Sequence, residues 1–284
     1  MLVVTKFGGS SLSCATQFEK VKNIVTSDPK RKIVVVSALG KRDSSDTKIT
    51  DLLYILHAHL KYSVPYQDIW NMIETRFIGV RDELGIDYPI QDDLNKLHNE
   101  LNKNISQDYL VSRGEYLTAR LMSNYLGYSF CDAKDLLKYN YDGLLDEAET
   151  EKNVKLAFSK YGSIVVPGFY GRMPNGTIKT FSRGGSDITG SLVSRAMCAD
   201  LYENWTDVDG FLVTDPRIIK NAKIISKITY KELRELSYMG ATVLHEDAIF
   251  PVHQAGIPIN IRNTNNPSTP GTMIVSETKV DEST

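Results

Sequence analysis

Two short stretches of the chain set a cation, two glycines and a serine in succession. The first is Lys6-Phe7-Gly8-Gly9-Ser10-Ser11, which ends the apolar run MLVVTKF; the second is Arg183-Gly184-Gly185-Ser186-Asp187, which leads into SDITGSLVSRAMCA. Gly-Gly is ordinary turn chemistry between a strand and a helix. The same residues also suit a phosphate: glycines without Cβ let an anion approach the backbone, the following helix offers its positive N-terminus, and the basic residue supplies a full charge. Neither stretch is a G-x-x-x-x-G-K-[ST] loop or a G-x-G-x-x-G dinucleotide fingerprint. A capped helix alone requires no Gly-Gly preceded by arginine, although Ser186 or Asp187 is a natural N-cap. Two such loops could share one crevice at the carboxyl ends of parallel strands, where open α/β sheets bind ligands. A third segment, ENWTDVDGFLVTDPRII, sets Asp207, Asp209, Asp215 and Arg217 around a glycine turn. Its carboxylates suit ribose hydroxyls, a water-mediated Mg²⁺ or simple Asx-turns, and residue chemistry alone leaves all three open.

The elements that must position these loops follow from periodicity. MLVVTKF and RKIVVVSALG are β-branched runs with the composition of strands covered on both faces. Phe18, Val21, Ile24 and Val25 recur at helical spacing in CATQFEKVKNIVTS, and ITDLLYILHAHL reads as a helix beginning near Thr50 or Asp51. From Tyr66 to Leu126 the pattern is helical in several pieces, each with an apolar stripe. Beyond it, GYSFCDA, SIVVPGFYG, LYENWTDVDGF, IPINIRNT and TMIVSE read as strands, KNVKLAFSKYG, SDITGSLVSRAMCA, YKELRELSYMG and HEDAIFPVHQAG as helices, and RMPNGTIKTF as a hairpin around Asn175-Gly176. Alternating strands and helices predict an α/β fold with a parallel sheet between two helical layers. No Gly/Ser/Pro-rich linker divides the chain and no solenoid repeat is present.

Bulk properties narrow the function classes. The chain has 284 residues, with 33 Lys and Arg against 35 Asp and Glu, and no long basic block, which argues against a nucleic-acid partner. No stretch approaches the ~20 apolar residues of a membrane span, and VTKFGG interrupts what would be the apolar core of a signal peptide. Cys14, Cys131 and Cys198 are widely spaced, odd in number and without a C-x-x-C pair, which points to a reducing, cytoplasmic setting rather than a disulfide frame or zinc site. Asn104, Asn175 and Asn204 begin N-x-[ST] triplets that read as chance matches. His245 and His253 lie on one face of a helix, too few for a metal site. Cys14 reads as a small buried residue, Trp70 and Trp205 as core, and KRDSSDTK as either a solvated loop or a lid.

Taken in order, the three segments resemble the aspartokinases of the amino acid kinase family. Lys6 to Ser11 match K-F-G-G-[ST]-S, Phe181 to Thr189 match [FS]-x-R-G-G-S-D-x-[TS], and Thr206 to Arg217 match T-D-V-D-G-x-x-x-x-D-P-R. GATVLH and NTNNPSTPGT are similar to later family segments, so the likeness spans essentially the whole chain. It implies a three-layer α/β/α sandwich around a mainly parallel sheet, forming one amino acid kinase domain over residues 1–284. Within it the amino acid would sit in the N-terminal part and the nucleotide in the C-terminal part, from about residue 200. The implied reaction moves the γ-phosphoryl group of ATP, with Mg²⁺, to the side-chain carboxylate of L-aspartate, the first step toward lysine, threonine and methionine.

Carried over residue by residue, Lys6, Phe7, Gly8, Gly9 and Ser10 would hold the ATP phosphates, and Lys6 would neutralise the transferring group. Ser37, Thr50 and Glu115 would line the aspartate site, with Glu115 facing the substrate ammonium. Arg183 would pair with a substrate carboxylate, aligned by Ser186 and Asp187, the latter counted with Lys6 as catalytic. Thr206, Asp207, Leu212 and Arg217 would contact the nucleotide. Two positions depart from the family: Thr242 stands where lysine is common, and Leu212 where an aromatic often packs near adenine. The resemblance further implies a homodimer and a catalytic module without regulatory domains, hence no inhibition by lysine or threonine through an in-chain site. Alternatives are a relative acting on glutamate, acetylated glutamate, carbamate or UMP, and a binding protein that has lost catalysis.

Overall fold

The two β-branched runs do become central strands. In the computed structural model, β1 (Val3–Phe7) and β2 (Arg31–Val36) pair in parallel and are buried almost throughout. The structure describes residues 1–182, 184–213, 223–238, 244 and 246–276. A 3₁₀ turn, Gly9–Leu12, follows β1 and leads to α1 (Ala15–Thr26). After β2 come α2 (Ile49–Lys61), α3 (Gln67–Leu84), α4 (Ile90–Glu100) and α5 (Gln107–Leu126). The order continues with β3 (Ser129–Phe130), α6 (Ala133–Leu136), α7 (Glu147–Tyr161), β4 (Ile164–Pro167), β5 (Tyr170–Arg172), β6 (Ile178–Thr180) and α8 (Gly185–Ala196). It closes with β7 (Leu201–Thr206), β8 (Lys227–Thr229), α9 (Tyr230–Tyr238), α10 (Glu246–Gln254), β9 (Ile259–Asn263) and β10 (Thr272–Val275). Caps are local: the Ser106 hydroxyl accepts from the Tyr109 amide ahead of α5, and Asp146 accepts from the Glu149 amide ahead of α7.

Among the described residues the main sheet has eight strands in the order β3-β4-β2-β1-β7-β9-β10-β8. Every neighbouring pair is parallel except β9 with β10. The expected hairpin is present as β5 and β6, a separate antiparallel pair. One helical layer, α1 to α5, packs on Phe7, Val34, Val36, Val165 and Trp205; the other, including α7, α8 and α10, packs on Val4, Ile33, Val35, Ile164 and Tyr202. Alternate residues of β1 and β2 thus serve opposite cores, which is why these strands read as unbroken apolar runs. The α/β/α sandwich expected from the sequence is the fold observed. Trp70 and Trp205 lie in the core as expected.

The start of α8 differs from expectation. Its N-cap is Gly184, at φ 57°, and no side chain caps it. Glycine adopts that left-handed backbone without steric penalty. Ser186 and Asp187 fall inside the first turn instead, so their side chains are free for other partners.

Candidate active site

Strands β2, β1 and β7 lie side by side and parallel, so the segments that follow them emerge at the same edge of the sheet. There they border a cleft of about 540 Å³. Gly8, Gly9 and Ser10 follow β1, Ser37 follows β2, and Thr206 and Asp207 end β7; all line this cleft. Thr50 reaches it from α2 and Glu115 from α5. Eight residues singled out in the sequence therefore share one cavity.

Lys6 sits buried just behind this lining. Its ammonium is 2.7 Å from a carboxylate oxygen of Asp187, which also accepts a 2.7 Å hydrogen bond from Asn204 on β7. The ammonium lies only 3.7 Å from the point where a Cβ on Gly8 would stand. The Lys6–Asp187 contact also joins the two Gly-Gly loops, since Asp187 belongs to the second. Arg183, the cation of that loop, lies outside the described residues, as do Arg217, Thr242 and His245.

Not every expected residue lines the cleft. The Gly8 amide donates to the Trp205 carbonyl at 3.0 Å, which leaves Gly9 and Ser10 as the amides of this loop open to an anion. The Phe7 side chain points into the core and stacks on Trp205, with ring centroids 6.0 Å apart. Ser186 is buried in α8, against Gly168, and Leu212 forms an isolated bridge with Ile224; neither lines the cleft. Asp209 accepts from the side chains of Asn263, the last residue of β9, and Asn266 at 2.9 and 3.4 Å, tying the aspartate-rich turn to the end of β9 and the loop after it. Asp207 faces the cleft instead. His253 stacks on Tyr230, and among the described residues no cluster of His, Cys, Asp and Glu could hold a metal. The three cysteines are unpaired, and Cys14 is half-buried at the N-cap of α1 rather than fully enclosed.

Glu115 is the electrostatic outlier. Burial pushes its carboxyl up to about 8, against weaker lowering by backbone hydrogen bonds and Arg113. One of its carboxylate oxygens is buried without a hydrogen-bond partner. A cationic group entering the cleft would supply the missing partner.

The loop between β2 and α2, left open in the sequence between a solvated loop and a lid over the site, forms a wall of the cleft. Lys41, Asp43 and Lys48 from KRDSSDTK line the cleft beside Ala38, Leu39 and Gly40. The available signal was Gly40. A Cβ there would stand 2.4 Å from the Gly9 carbonyl carbon, and its amide donates to the Gly9 oxygen at 2.9 Å. Only glycine permits that approach, which seats the β2–α2 loop directly on the first glycine loop.

Comparison with known proteins agrees with this architecture. A family model, the amino acid kinase family, matches residues 1–263. Aspartokinase 3 of Bacillus subtilis is 41% identical over 288 residues, covering 96% of this chain and 63% of its own length. The crystal structure of Clostridium acetobutylicum aspartate kinase superposes with a TM-score of 0.93 at 51% identity, over 99% of this chain and 64% of that one. The E. coli aspartokinase III structure in complex with aspartate and ADP gives a TM-score of 0.84 at 26% identity, over 99% of this chain and 66% of that one. The chain thus spans just under two thirds of these relatives' lengths, and the motif resemblance to aspartokinases extends over nearly all of its own. From its motifs, its sheet and this match, the chain belongs to the amino acid kinase family.

Proposed function

We propose that the cleft transfers the γ-phosphoryl group of ATP to the side-chain carboxylate of L-aspartate, giving 4-phospho-L-aspartate and ADP. The observation that carries this proposal is the pairing of two unlike poles in one cavity. Gly9 and Ser10 at the wall, with Lys6 directly behind them, form a pole for phosphate oxygens, and Glu115 forms a pole for an ammonium. An α-amino acid with a second carboxylate is the acceptor that suits both. The relatives support the same choice, since E. coli aspartokinase III was crystallised with aspartate and ADP.

A carboxylate attacks a polyanion poorly because like charges repel, so positioning and charge neutralisation must do most of the catalysis. Lys6 is the group placed to neutralise the transferring phosphoryl. Asp187 and Asn204 act on it as positioning residues, fixing the ammonium before substrate arrives. The attacking oxygen forms the new P–O bond as the bond to ADP breaks, and no proton need leave the acceptor. Thr206 and Asp207 border the nucleotide side; Ser37 and Thr50 border the amino acid side. Arg183, pairing with a substrate carboxylate, and Arg217, contacting the nucleotide, complete the proposal from positions outside the described residues. Mg²⁺ fits as an ion carried in by the nucleotide phosphates, with Asp207 at the cleft wall, and would supply charge neutralisation there. The proposal includes a homodimer, which light scattering would contradict by returning a monomer mass.

Hydroxylamine trapping tests the reaction directly, because an acyl phosphate yields a hydroxamate. Aspartate with MgATP is expected to give hydroxamate, and a coupled assay of ADP release, which also detects acceptors that form no acyl phosphate, is expected to show no turnover with glutamate, N-acetylglutamate, carbamate or UMP. Turnover with glutamate but not aspartate would replace the proposed acceptor, and no turnover with any would favour a binding protein. Lys6→Ala is expected to lower kcat on the order of a hundredfold or more.

A further inference from the structure

A second cavity, about 380 Å³, lies on the other side of the glycine loop, between α1 and the ends of β7 and β9. Its charged lining is Lys20, Arg31 and Arg262, and no acidic side chain among the described residues lines it. One carboxylate, Glu203, serves the two arginines from beneath. It takes a bidentate pair from Arg31 at 2.8 and 3.0 Å, the Trp205 indole N–H at 2.9 Å, and a longer contact of 3.6 Å from Arg262. Its acceptor capacity is therefore largely taken. Arg262 stacks its guanidinium 4.5 Å above the Trp205 ring and donates to the Pro267 carbonyl, yet its Nε is buried with no acceptor. Lys20 is held at the rim by a 2.8 Å hydrogen bond to the neutral side chain of Asn265. Three cations against one largely saturated anion leave a net positive pocket with an unpaired donor in its wall, the condition under which an oxyanion binds through charge-assisted hydrogen bonds.

We propose that this pocket is a second binding site for a compact oxyanion, a carboxylate or phosphate group of a small molecule, held by Arg262 and Lys20. Its walls touch the glycine loop from behind. The carbonyl of Trp205 accepts the Gly8 amide, and the Thr264 hydroxyl is 2.7 Å from that of Ser11. An occupant would thus bear on the backbone that lines the cleft, whatever reaction the cleft performs.

Trp70 and Trp205 are the two tryptophans of the chain, so Trp70→Phe leaves Trp205 as the fluorescent reporter. This variant is titrated with sodium phosphate and, separately, sodium succinate to about 50 mM, at ionic strength held constant with sodium chloride. Thermal shift of the unaltered chain serves as the second measurement. The expected result is a saturable change with at least one anion, which also identifies the phosphate or carboxylate class. Lys20→Gln and Arg262→Gln should each raise the half-saturating concentration about tenfold. Lys20→Gln lies at the rim, clear of the buried arginine–glutamate contacts, so it tests the site even if Arg262→Gln folds poorly. No saturable response to either anion would overturn the proposal. So would a response that survives Lys20→Gln, and its disappearance in Lys6→Ala would place the anion in the cleft instead.

Discussion

At the scale of single residues, Glu115 holds the sharpest tension. Its carboxyl titrates at about 8 because burial disfavours the charged form, yet pairing with a substrate ammonium requires that form. Below that pH the free protein must release a proton as the amino acid binds. The expected outcome is that kcat/KM for aspartate rises with pH up to about 8 and that Glu115→Gln removes this rise while lowering kcat/KM. Stability runs the other way. The folded state keeps its proton where the unfolded state, at 4.5, has lost it, so the native chain loses stability as pH rises from 4.5 toward 8. Glu115→Gln should therefore melt higher than the parent at pH 8, on the order of 5 °C, with the gap closing toward pH 4.5. Thermal melts across this range check the sign, and equal melting temperatures at pH 8 would show that the site is hydrated enough to ionise freely. The sequence pointed to Glu115 only through the motif resemblance. Its raised pKa depends on α5 being enclosed by α2 and the sheet, which no local pattern records.

At the scale of elements, the loop from Gly40 to Lys48 shows what periodicity leaves out. Its composition, KRDSSDTK, is polar enough for a solvated loop, and most of it is exposed. Yet the Asp46 side chain is only 8% exposed, and α3 reaches across to hold it. Arg76 donates to Asp46 at 2.8 Å, to the carbonyls of Gly40 and Thr47 at 2.7 and 3.3 Å, and to the Ser13 carbonyl at 3.1 Å. Hydrogen bonding from Arg42, reinforced by the Arg76 charge, holds the Asp46 carboxyl well below the usual carboxylate range. One guanidinium therefore fixes the cleft wall carrying Lys41 and Lys48 relative to the segment after the glycine loop. Arg76→Lys cannot match four acceptors with one ammonium. It is expected to lower kcat/KM about tenfold, mainly through the KM of either substrate, and Arg76→Met is expected to lower it further. Loss of stability with unchanged kinetic constants would reduce Arg76 to a structural residue. Strands and helices were legible because their periods are written in consecutive residues. This clamp joins positions 13, 40, 46 and 76, and such a pattern exists only once α3 has packed beside α1 and α2. The Gly184 cap escaped for a similar reason: serine and aspartate are good caps in general, but here α8 starts earlier, capped at Gly184, and Asp187 pairs with Lys6 instead.

At the scale of the whole molecule, the sheet's continuity governs how the two substrate regions behave. The family resemblance separates an amino-acid part from a nucleotide part beginning near residue 200, yet β1 pairs with β2 on one side and β7 on the other. The boundary thus runs between two fully hydrogen-bonded central strands rather than through a linker. Both hydrophobic cores also cross it, since Trp205 packs with the α1–α5 layer and Tyr202 with the α8 layer. Neither part could unfold without stripping one edge of β1 and opening both cores. Calorimetry of the described fold is therefore expected to show a single cooperative transition. A non-hydrolysable ATP analogue at a hundredfold excess over its Kd should raise that whole transition, by roughly 2.7 kcal/mol of linkage free energy. Val4→Ala and Val34→Ala, which open cavities on opposite faces of adjacent strands, should each lower the same transition, by about 1–3 kcal/mol. Two resolved transitions, with the nucleotide analogue moving only one, would instead mean that the nucleotide part holds together without β1, and that the shared sheet is a docking surface between two folding units.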